Sequence, residues 1–515
     1  MTLGEGDAWV IAYPDHVAEP GRTPLASLSA LVRDVLAPAI TGVHTLPVHP
    51  ASGDGGFSVI DPAAVDPRFG SWDDLRALAG ITSWMADAVV NHLSATSPWF
   101  VRYLAGDPRF ADFFATLDPS VDASAVVRPR TSPLSHAFPR SDGTSVHVWT
   151  TFSADQVDLD YRNPAVLAAM SEVIGRFVDA GAAAVRLDAI AFVWKDPATS
   201  SVNQAGTHEV VRALRADIDR RRPGVLVVTE TNLPHDQNVS YLAPGEADAV
   251  YQFPLPPLVA HAFVAEDAGA LVRWLQALTF PEPPATYLDV LATHDGIGVR
   301  GAEGWLDDVG LQRLLDATAA AGGVVNRRTT VDGDVPYELA VSWFALLGAG
   351  FDEATAIDRH LASHAIALAV RGHPLLYLNS LFGSGNDEAT FARTGHARDL
   401  NRGRLRRSEL DAALREPSSR ASRVWAGLRS MLAARASSTA FHPAAAQVVH
   451  ERNPSVVLVE RVAASGERAW VAVNVTRSPI DVDLPDGTTL TLAPFGWHWR
   501  TARFTAAASG CHDRP

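Results

Sequence analysis

Two charged residues interrupt a short apolar run near the middle of the chain. Arg186 and Asp188 alternate within Ala184–Ile190, so a β-strand would place both side chains on one face. Two buried charges have a large desolvation cost unless they are paired or used in chemistry. The two residues are therefore either a structural ion pair or a carboxylate nucleophile that its arginine orients and keeps ionised.

Polar residues also follow three further apolar runs. Asn91 and His92 follow the first, Glu230 follows the second, and His294 and Asp295 follow the third. Two carboxylates that face each other suit acid–base or covalent chemistry at an acetal carbon. A metal site is the alternative, since Asp, Glu and His also bind cations. Because Arg186 within the cluster would repel a cation, we expect no metal and no cofactor.

The elements that must position these residues are eight short apolar runs that alternate with helical stretches. This order is typical of parallel βα units, and eight of them predict a (β/α)₈ TIM barrel of the α/β class. In such a barrel the carboxyl ends of the strands form the active-site face. The predicted strands lie within residues 8–13, 43–48, 81–90, 184–190, 225–229, 248–253, 287–292 and 373–378.

Composition and periodicity divide the rest of the chain. Residues 93–161 have no sustained period and are too long for an ordinary loop, which predicts an inserted subdomain between barrel parts 1–92 and 162–435. A smaller, irregular insertion is expected at about 296–336. Alternating apolar residues over 436–505 predict a C-terminal antiparallel β-sandwich, followed by a tail over 506–515.

Composition excludes several classes of partner. The 515 residues are 47% hydrophobic and 20% charged, and the net charge of −15 argues against nucleic-acid or anionic-membrane binding. Cys511 is the single cysteine, so no disulfide can form within the chain. With no signal-like N-terminus and no apolar run of about 20 residues, we expect a cytoplasmic protein. The sequence does not indicate an oligomeric state.

Four stretches resemble the sequence regions of the α-amylase superfamily of glycoside-active enzymes, in their usual order. They are Asp87–His92 (DAVVNH), Ala184–Asp188 (AVRLD), Glu230 after its apolar run, and His294-Asp295. The resemblance implies that Asp188 is the nucleophile, that Glu230 is the general acid/base and that Asp295 stabilises the transition state.

Further motifs resemble the sucrose phosphorylase subfamily, namely 128–130 (RPR), 156–160 (QVDLD), 293–298 (THDGIG) and 397–402 (ARDLNR). Enzymes of that type cleave an α-glucoside with inorganic phosphate, retain the anomeric configuration and release α-glucose 1-phosphate. The resemblance implies that the glucosyl ring is held by Asp54, Phe57, His92, Arg186, His294 and Arg398. It also implies a phosphate or acceptor site formed by Arg130, Asn232, Tyr337 and Glu338.

The acceptor side departs from sucrose phosphorylase itself. Phe192 stands where that enzyme has a tyrosine, and Asn232 stands where it has a histidine. Residues 229–235 (TETNLPH) and 336–339 (PYEL) instead resemble glucosylglycerate phosphorylases, whose acceptor is D-glycerate. An anionic acceptor would suit the basic residues of the two insertions, which are Arg128, Arg130, Arg327 and Arg328. For Arg327 and Arg328 the alternative is a solvated pair in a loop.

Three other functions remain possible from the sequence. The chain could act on sucrose, sucrose 6′-phosphate or glucosylglycerol with phosphate, or it could be a sucrose hydrolase or transglucosidase. It could also be a non-catalytic amylase-like binding module. Such modules usually lack a catalytic acid, whereas all three acids are present in this chain.

Overall fold

Eight parallel strands form a closed barrel in the computed structural model, which describes residues 3–330 and 333–502. Each strand pairs with the next along the chain, and the eighth pairs with the first. The strands are Trp9–Ala12, Gly42–Thr45, Ser83–Val89, Ala184–Asp188, Leu226–Thr229, Ala249–Tyr251, Thr286–Asp289 and His373–Tyr377. The eight strands and the barrel predicted from the sequence are confirmed.

The strand that carries the charged residues is buried along its whole length. Its neighbour on one side is the third barrel strand, and the register pairs Asp87 with Arg186 and Val89 with Asp188. The alternation of the two strands therefore brings the polar side chains Asp87, Arg186 and Asp188 together, while Val185 and Leu187 are buried in the apolar core.

The helices follow sequence signals at their ends. Asn163 caps the helix before the fourth strand by accepting a hydrogen bond from Ala165 N–H, and Pro164 occupies its first turn. The longer helices around the barrel are Pro24–Leu31, Trp72–Ala79, Pro164–Asp179, Ala205–Arg221, Leu255–Ala265, Gly269–Ala277, Asp308–Ala320, Glu353–Ala369, Arg407–Arg415 and Arg420–Ala436. Shorter ones are Pro98–Leu104, His235–Val239, Trp343–Gly348, Leu378–Leu381 and Glu388–Thr394.

Two insertions extend from the carboxyl ends of the barrel strands. After the third strand, His92–Ser94 pairs with Gln156–Asp158, and a hairpin forms from Ser135–Pro139 and Ser145–Trp149. After the seventh strand, Ile297–Gly298, Gly333–Ala340 and Val324–Thr330 form a three-stranded antiparallel sheet.

The expectation of an irregular segment after the seventh strand is therefore wrong. Besides this sheet, the segment holds the helix Asp308–Ala320. The hairpin strand Val324–Thr330 is rich in Arg and Thr and partly exposed, so it lacks the apolar alternation that marks a strand in a sequence. In its partner, Gly333–Ala340, Pro336 interrupts the alternating Val335, Tyr337 and Leu339.

The C-terminal part contains two antiparallel sheets. The larger one orders Ala446–His450, Val456–Val462, Arg468–Asn474 and Trp497–Ala502, and the smaller one pairs Ile480–Asp483 with Thr489–Leu492. Side chains from both sheets share a small apolar core that includes Leu458, Trp470 and Val482. This arrangement is the expected β-sandwich. The predicted tail and Cys511 lie outside the described residues.

None of the helices in the described part of the chain has the length and hydropathy that crossing a lipid bilayer requires.

Candidate active site

A single arginine contacts three carboxylates at the end of the fourth barrel strand. Arg186 is 3% exposed, and its Nη1 lies 2.7 Å from Asp188 Oδ1 and 2.8 Å from Asp87 Oδ1. Its Nη2 lies 3.8 Å from Glu230 Oε2. Arg186 is therefore a shared partner and does not serve Asp188 alone.

The three carboxyl groups differ in how readily they ionise. Burial raises the pKa of Asp188 well above its usual range, and Arg186 only partly opposes that effect. Burial also raises the pKa of Glu230, with Arg186 again opposing it. For Asp87, Arg186 and His44 outweigh burial and lower the pKa. Arg186 thus favours the ionised form of Asp188, as expected of its role, while burial and the nearby Asp87 carboxylate oppose that ionised form.

Burial disfavours the ionised forms of both Asp188 and Glu230. Two acids whose charged forms are both destabilised, and which repel each other, ionise in two separated steps. Asp188 and Glu230 can then provide one ionised carboxylate and one protonated carboxylic acid. A nucleophile and a general acid require that pair of protonation states.

The backbone after Asp188 links these two groups directly. Ala189 adopts the left-handed conformation with φ 51°, which costs a non-glycine residue about 1–2 kcal/mol. Its N–H donates a hydrogen bond of 3.1 Å to Glu230 Oε2. The strained turn thus fixes the Glu230 carboxylate beside the residue that follows Asp188.

A second group of charges surrounds Asp295 after the seventh strand. Arg398 Nη1 lies 2.6 Å from Asp295 Oδ1, and the same guanidinium donates to both carboxylate oxygens of Glu338 at 3.0 and 2.7 Å. Asp54 Oδ1 lies 3.6 Å from Arg398 Nη1 and 3.6 Å from Arg402 Nη2. These side chains come from four separate segments and form one ion-pair network.

Aromatic and imidazole rings form the wall between these two charged groups. Phe57 stacks on His294 with ring centroids 4.8 Å apart and an interplanar angle of 8°, and Arg186 lies over the Phe57 ring. His92 Nε2 lies 3.1 Å from the Phe57 carbonyl oxygen. Burial lowers the pKa of both His92 and His294, so both are neutral rings that suit contact with sugar hydroxyls.

The structure brings the residues singled out in the sequence together at one cavity. Its lining includes Asp54, Phe57, His92, Arg130, Asp188, Glu230, Asn232, His294, Asp295, Tyr337 and Arg398. The two remaining residues support it from behind, because Arg186 holds Asp188 and Glu338 holds Arg398.

The basic residues of the two insertions occupy different places. Arg130 lines the cavity, with its guanidinium 5.4 Å from the Tyr337 ring centroid and 5.7 Å from that of Phe152. Arg128 donates to the carbonyl groups of residues 131 and 132. Arg327 is exposed on the hairpin after the seventh strand. Arg327 thus lies on a strand and not in the solvated loop pair considered as the alternative, and it lines a neighbouring cavity together with Arg130 and Arg398.

The sequence did not identify several residues of the site individually. Arg300 lines the cavity beside Glu230, and Gln156 lines it beside His92. Lys195 is buried, and its Nζ donates to Asn91 Oδ1 at 2.7 Å and lies 2.7 Å from Asp158 Oδ2. The 156–160 motif could have identified Gln156 and Asp158 as site residues. No motif surrounds Lys195 or Arg300, so the sequence gives no sign that they belong to the site.

Throughout residues 3–330 and 333–502, no group of three or more His, Cys, Asp or Glu side chains is arranged to hold a metal ion. The acidic residues of the cavity instead contact arginines, as described above.

Comparison with known proteins identifies the class of enzyme to which this barrel and its cavity belong. The family model described as "Alpha amylase, catalytic domain" matches residues 39–280. The crystal structure of sucrose 6F-phosphate phosphorylase from Thermoanaerobacter thermosaccharolyticum superposes with a TM-score of 0.81 at 23% identity, covering 96% of this chain and 99% of that one. At that identity the likeness shows the fold.

Two curated relatives narrow the class. Glucosylglycerate phosphorylase from Allomeiothermus silvanus is 43% identical over 92% of this chain and 86% of its own length. Glucosylglycerate phosphorylase from Escherichia coli is 37% identical over 96% of this chain and 92% of its own. This chain therefore belongs to the glycoside phosphorylases of the α-amylase superfamily.

Proposed function

We propose that this chain is a retaining phosphorylase that transfers the glucosyl group of 2-O-α-glucosylglycerate to inorganic phosphate. The observation that carries the proposal is the position of Asp188 and Glu230 on adjacent strands, with one shared arginine and one direct backbone link. The names of the two curated relatives support glycerate as the acceptor.

The first step forms a covalent glucosyl-enzyme. Asp188 carboxylate attacks the anomeric carbon, and the bond from that carbon to the glycerate oxygen breaks. Glu230 donates its proton to that oxygen, so D-glycerate leaves as an alcohol and Glu230 becomes ionised. The new ester to Asp188 has the β configuration because the attack inverts the anomeric carbon.

The second step regenerates Asp188. A phosphate oxygen attacks the anomeric carbon from the face that glycerate left, and the ester bond breaks to release the Asp188 carboxylate. Glu230 accepts the proton of the attacking oxygen when phosphate carries one there. Two inversions give α-glucose 1-phosphate with net retention.

The remaining side chains have supporting roles in this proposal. Asp295 stabilises the positive charge that develops at the anomeric carbon, and Arg398 orients Asp295 through their 2.6 Å contact. Asp54, Phe57, His92, Arg186, His294 and Arg398 hold the glucosyl ring. Arg130, Asn232, Tyr337 and Glu338 form or support the phosphate and acceptor site, with Glu338 acting through Arg398.

The direct test runs the reaction in the synthetic direction. Glucose 1-phosphate is offered with D-glycerate, glycerol, fructose or fructose 6-phosphate, and phosphate release is measured. We expect the fastest release with D-glycerate and an α-linked product by NMR. Equal or faster release with fructose would overturn glycerate as the acceptor. Equal release with no acceptor would indicate a hydrolase, and a β-linked product would exclude retention.

We also propose that the enzyme works in the cytoplasm without a cofactor. A chain with one cysteine suits a reducing compartment, and the proposed steps use only the carboxyl groups of the chain itself.

A further inference from the structure

Arg300 lines the same cavity as the proposed general acid/base Glu230. It opens a short 3₁₀ turn, Arg300–Ala302, that follows the strand Ile297–Gly298, and its side chain lines the catalytic cavity. Its Nη1 lies 3.4 Å from the carbonyl oxygen of Asn232, two residues beyond Glu230. A cation thus lines the cavity in which the acceptor oxygen must meet Glu230.

A second arginine makes this region strongly positive. Arg328 reaches it from the hairpin strand Val324–Thr330, and Glu303 contacts both arginines. Glu303 Oε1 lies 3.9 Å from Arg300 Nε and 3.3 Å from Arg328 Nη2, and its side chain is 54% exposed. One half-exposed carboxylate therefore faces two guanidinium groups whose side chains are 13% and 17% exposed.

The hydrogen-bonding capacity of the two arginines is also unfilled. The Nε atoms of Arg300 and Arg328 are both buried, and neither has a hydrogen-bond partner in the described part of the chain. Burial and the neighbouring Arg328 together lower the pKa of Arg300, which is the sign of a cation without full compensation. Such a group is costly unless an anion binds there during the working cycle.

The chemistry of glycerate places an anion at this position. In 2-O-α-glucosylglycerate the carbon that bears the glycosidic oxygen is bonded directly to the carboxylate carbon. When that oxygen meets Glu230, the carboxylate has to lie close by, within the same cavity. The planar fork of an arginine matches a carboxylate with two parallel hydrogen bonds.

We propose that Arg300, supported by Arg328, binds the carboxylate of the acceptor and so selects glycerate over uncharged alcohols. This inference rests on the proposed function, because it assigns the acceptor recognition of that same site. Arg328 acts as a positioning residue, since Glu303 joins it to Arg300.

The test uses α-glucosyl fluoride, an uncharged donor whose leaving group needs no acceptor site. Transfer to D-glycerate, glycerol and phosphate is compared for the native protein, Arg300→Met and the matched control Arg313→Met. Arg313 is an exposed arginine on the helix Asp308–Ala320, so its loss changes the net charge equally. Fluoride release without acceptor reports on folding and on the glucosylation step.

We expect Arg300→Met to lower kcat/KM for glycerate by about 10–100-fold, mainly through KM, since a charge-assisted hydrogen bond is lost. The value for glycerol and the fluoride release should fall less than the value for glycerate, because neither involves a carboxylate at Arg300. Arg300→Lys should recover part of the glycerate activity. A parallel loss for phosphate would still support the proposal, because both anions meet the same anomeric carbon.

An unchanged ratio of glycerate to glycerol in Arg300→Met would overturn the inference, as would an equal loss in Arg313→Met. A loss of fluoride release in Arg300→Met, not restored by Arg300→Lys, would also overturn it, because Arg300 would then serve the glucosyl step. If the native protein itself does not prefer glycerate, the proposed function fails instead.

Discussion

The part of the cavity proposed to bind the glucosyl group (the glucosyl half) and the part proposed to bind glycerate and phosphate (the acceptor half) differ in how their positive charges are paired. In the glucosyl half, Arg186, Lys195 and Arg398 each lie within 2.7 Å of a carboxylate oxygen. In the acceptor half, Arg130 donates to the Pro129 carbonyl and lies over aromatic rings, while Arg300 donates to the Asn232 carbonyl and lies 3.9 Å from Glu303. Positive charge is thus balanced in the first half and left in excess in the second.

The difference follows from the charge of what each half is proposed to bind. A glucosyl ring is neutral, so the charges around it must be compensated by other groups of the protein. Glycerate and phosphate are anions and supply the compensation themselves when they bind. Substitutions that remove one member of a pair should therefore behave differently in the two halves.

The largest effect is expected from Asp188→Asn. We expect a loss of phosphorolysis of about 10⁴-fold or more, because the nucleophile is removed. The raised folded-state pKa means that the ionised Asp188 destabilises the fold above the pKa of the unfolded chain. Asp188→Asn should therefore unfold at an equal or higher urea concentration than the native protein at pH 7.

Asp87→Asn is the matched control, because Asp87 contacts the same guanidinium but has a lowered pKa. Its charge stabilises the fold above the unfolded pKa, and that stability is lost as the pH falls through the folded-state pKa. Asp87→Asn should therefore destabilise the protein at pH 7. The opposite order of the two variants would contradict the balance of charge described for the glucosyl half.

A smaller effect is expected from Lys195→Met, which removes a buried cation and keeps most of its apolar stem. The Asp158 carboxylate would remain buried without its partner, so we expect a loss of about 3–5 kcal/mol in the free energy of unfolding. Chemical denaturation measures this, with Arg162→Met as the control.

Arg162 pairs with Asp160 at 2.6 Å, but its side chain is 52% exposed, so the control should lose less than about 1 kcal/mol. Similar losses in the two variants would show that Lys195 is not a buried pairing residue.

The smallest effect is expected from Arg130→Ala in the acceptor half. Its guanidinium has no ion pair in the described part of the chain, so we expect little change in stability and a KM for phosphate about tenfold higher. Hydrolysis should persist, since Asp188 and Glu230 are intact. Arg109→Ala, an exposed arginine of the same insertion, should leave KM unchanged. A phosphate KM unaffected by Arg130→Ala would remove Arg130 from the site.

The barrel was predictable because its strands are short apolar runs that alternate with helical stretches. The site residues on strand ends were accessible for the same reason, since a parallel barrel brings all carboxyl ends to one face. The hairpin Val324–Thr330 with Gly333–Ala340 was missed because its first strand is polar and half-exposed and Pro336 interrupts the apolar alternation of the second. Arg300 was missed because nothing local distinguishes it from a surface arginine.

The sequence by itself determined the barrel, the C-terminal β-sandwich and the set of acids Asp188, Glu230 and Asp295, because periodicity and residue type are local properties. Only the tertiary structure decided how charge is distributed among them. Arg186 is shared with Asp87 because the register of two neighbouring strands aligns them. Arg300 and Arg328 meet because the sheet after the seventh strand folds back over the cavity, and no spacing along the chain encodes that proximity.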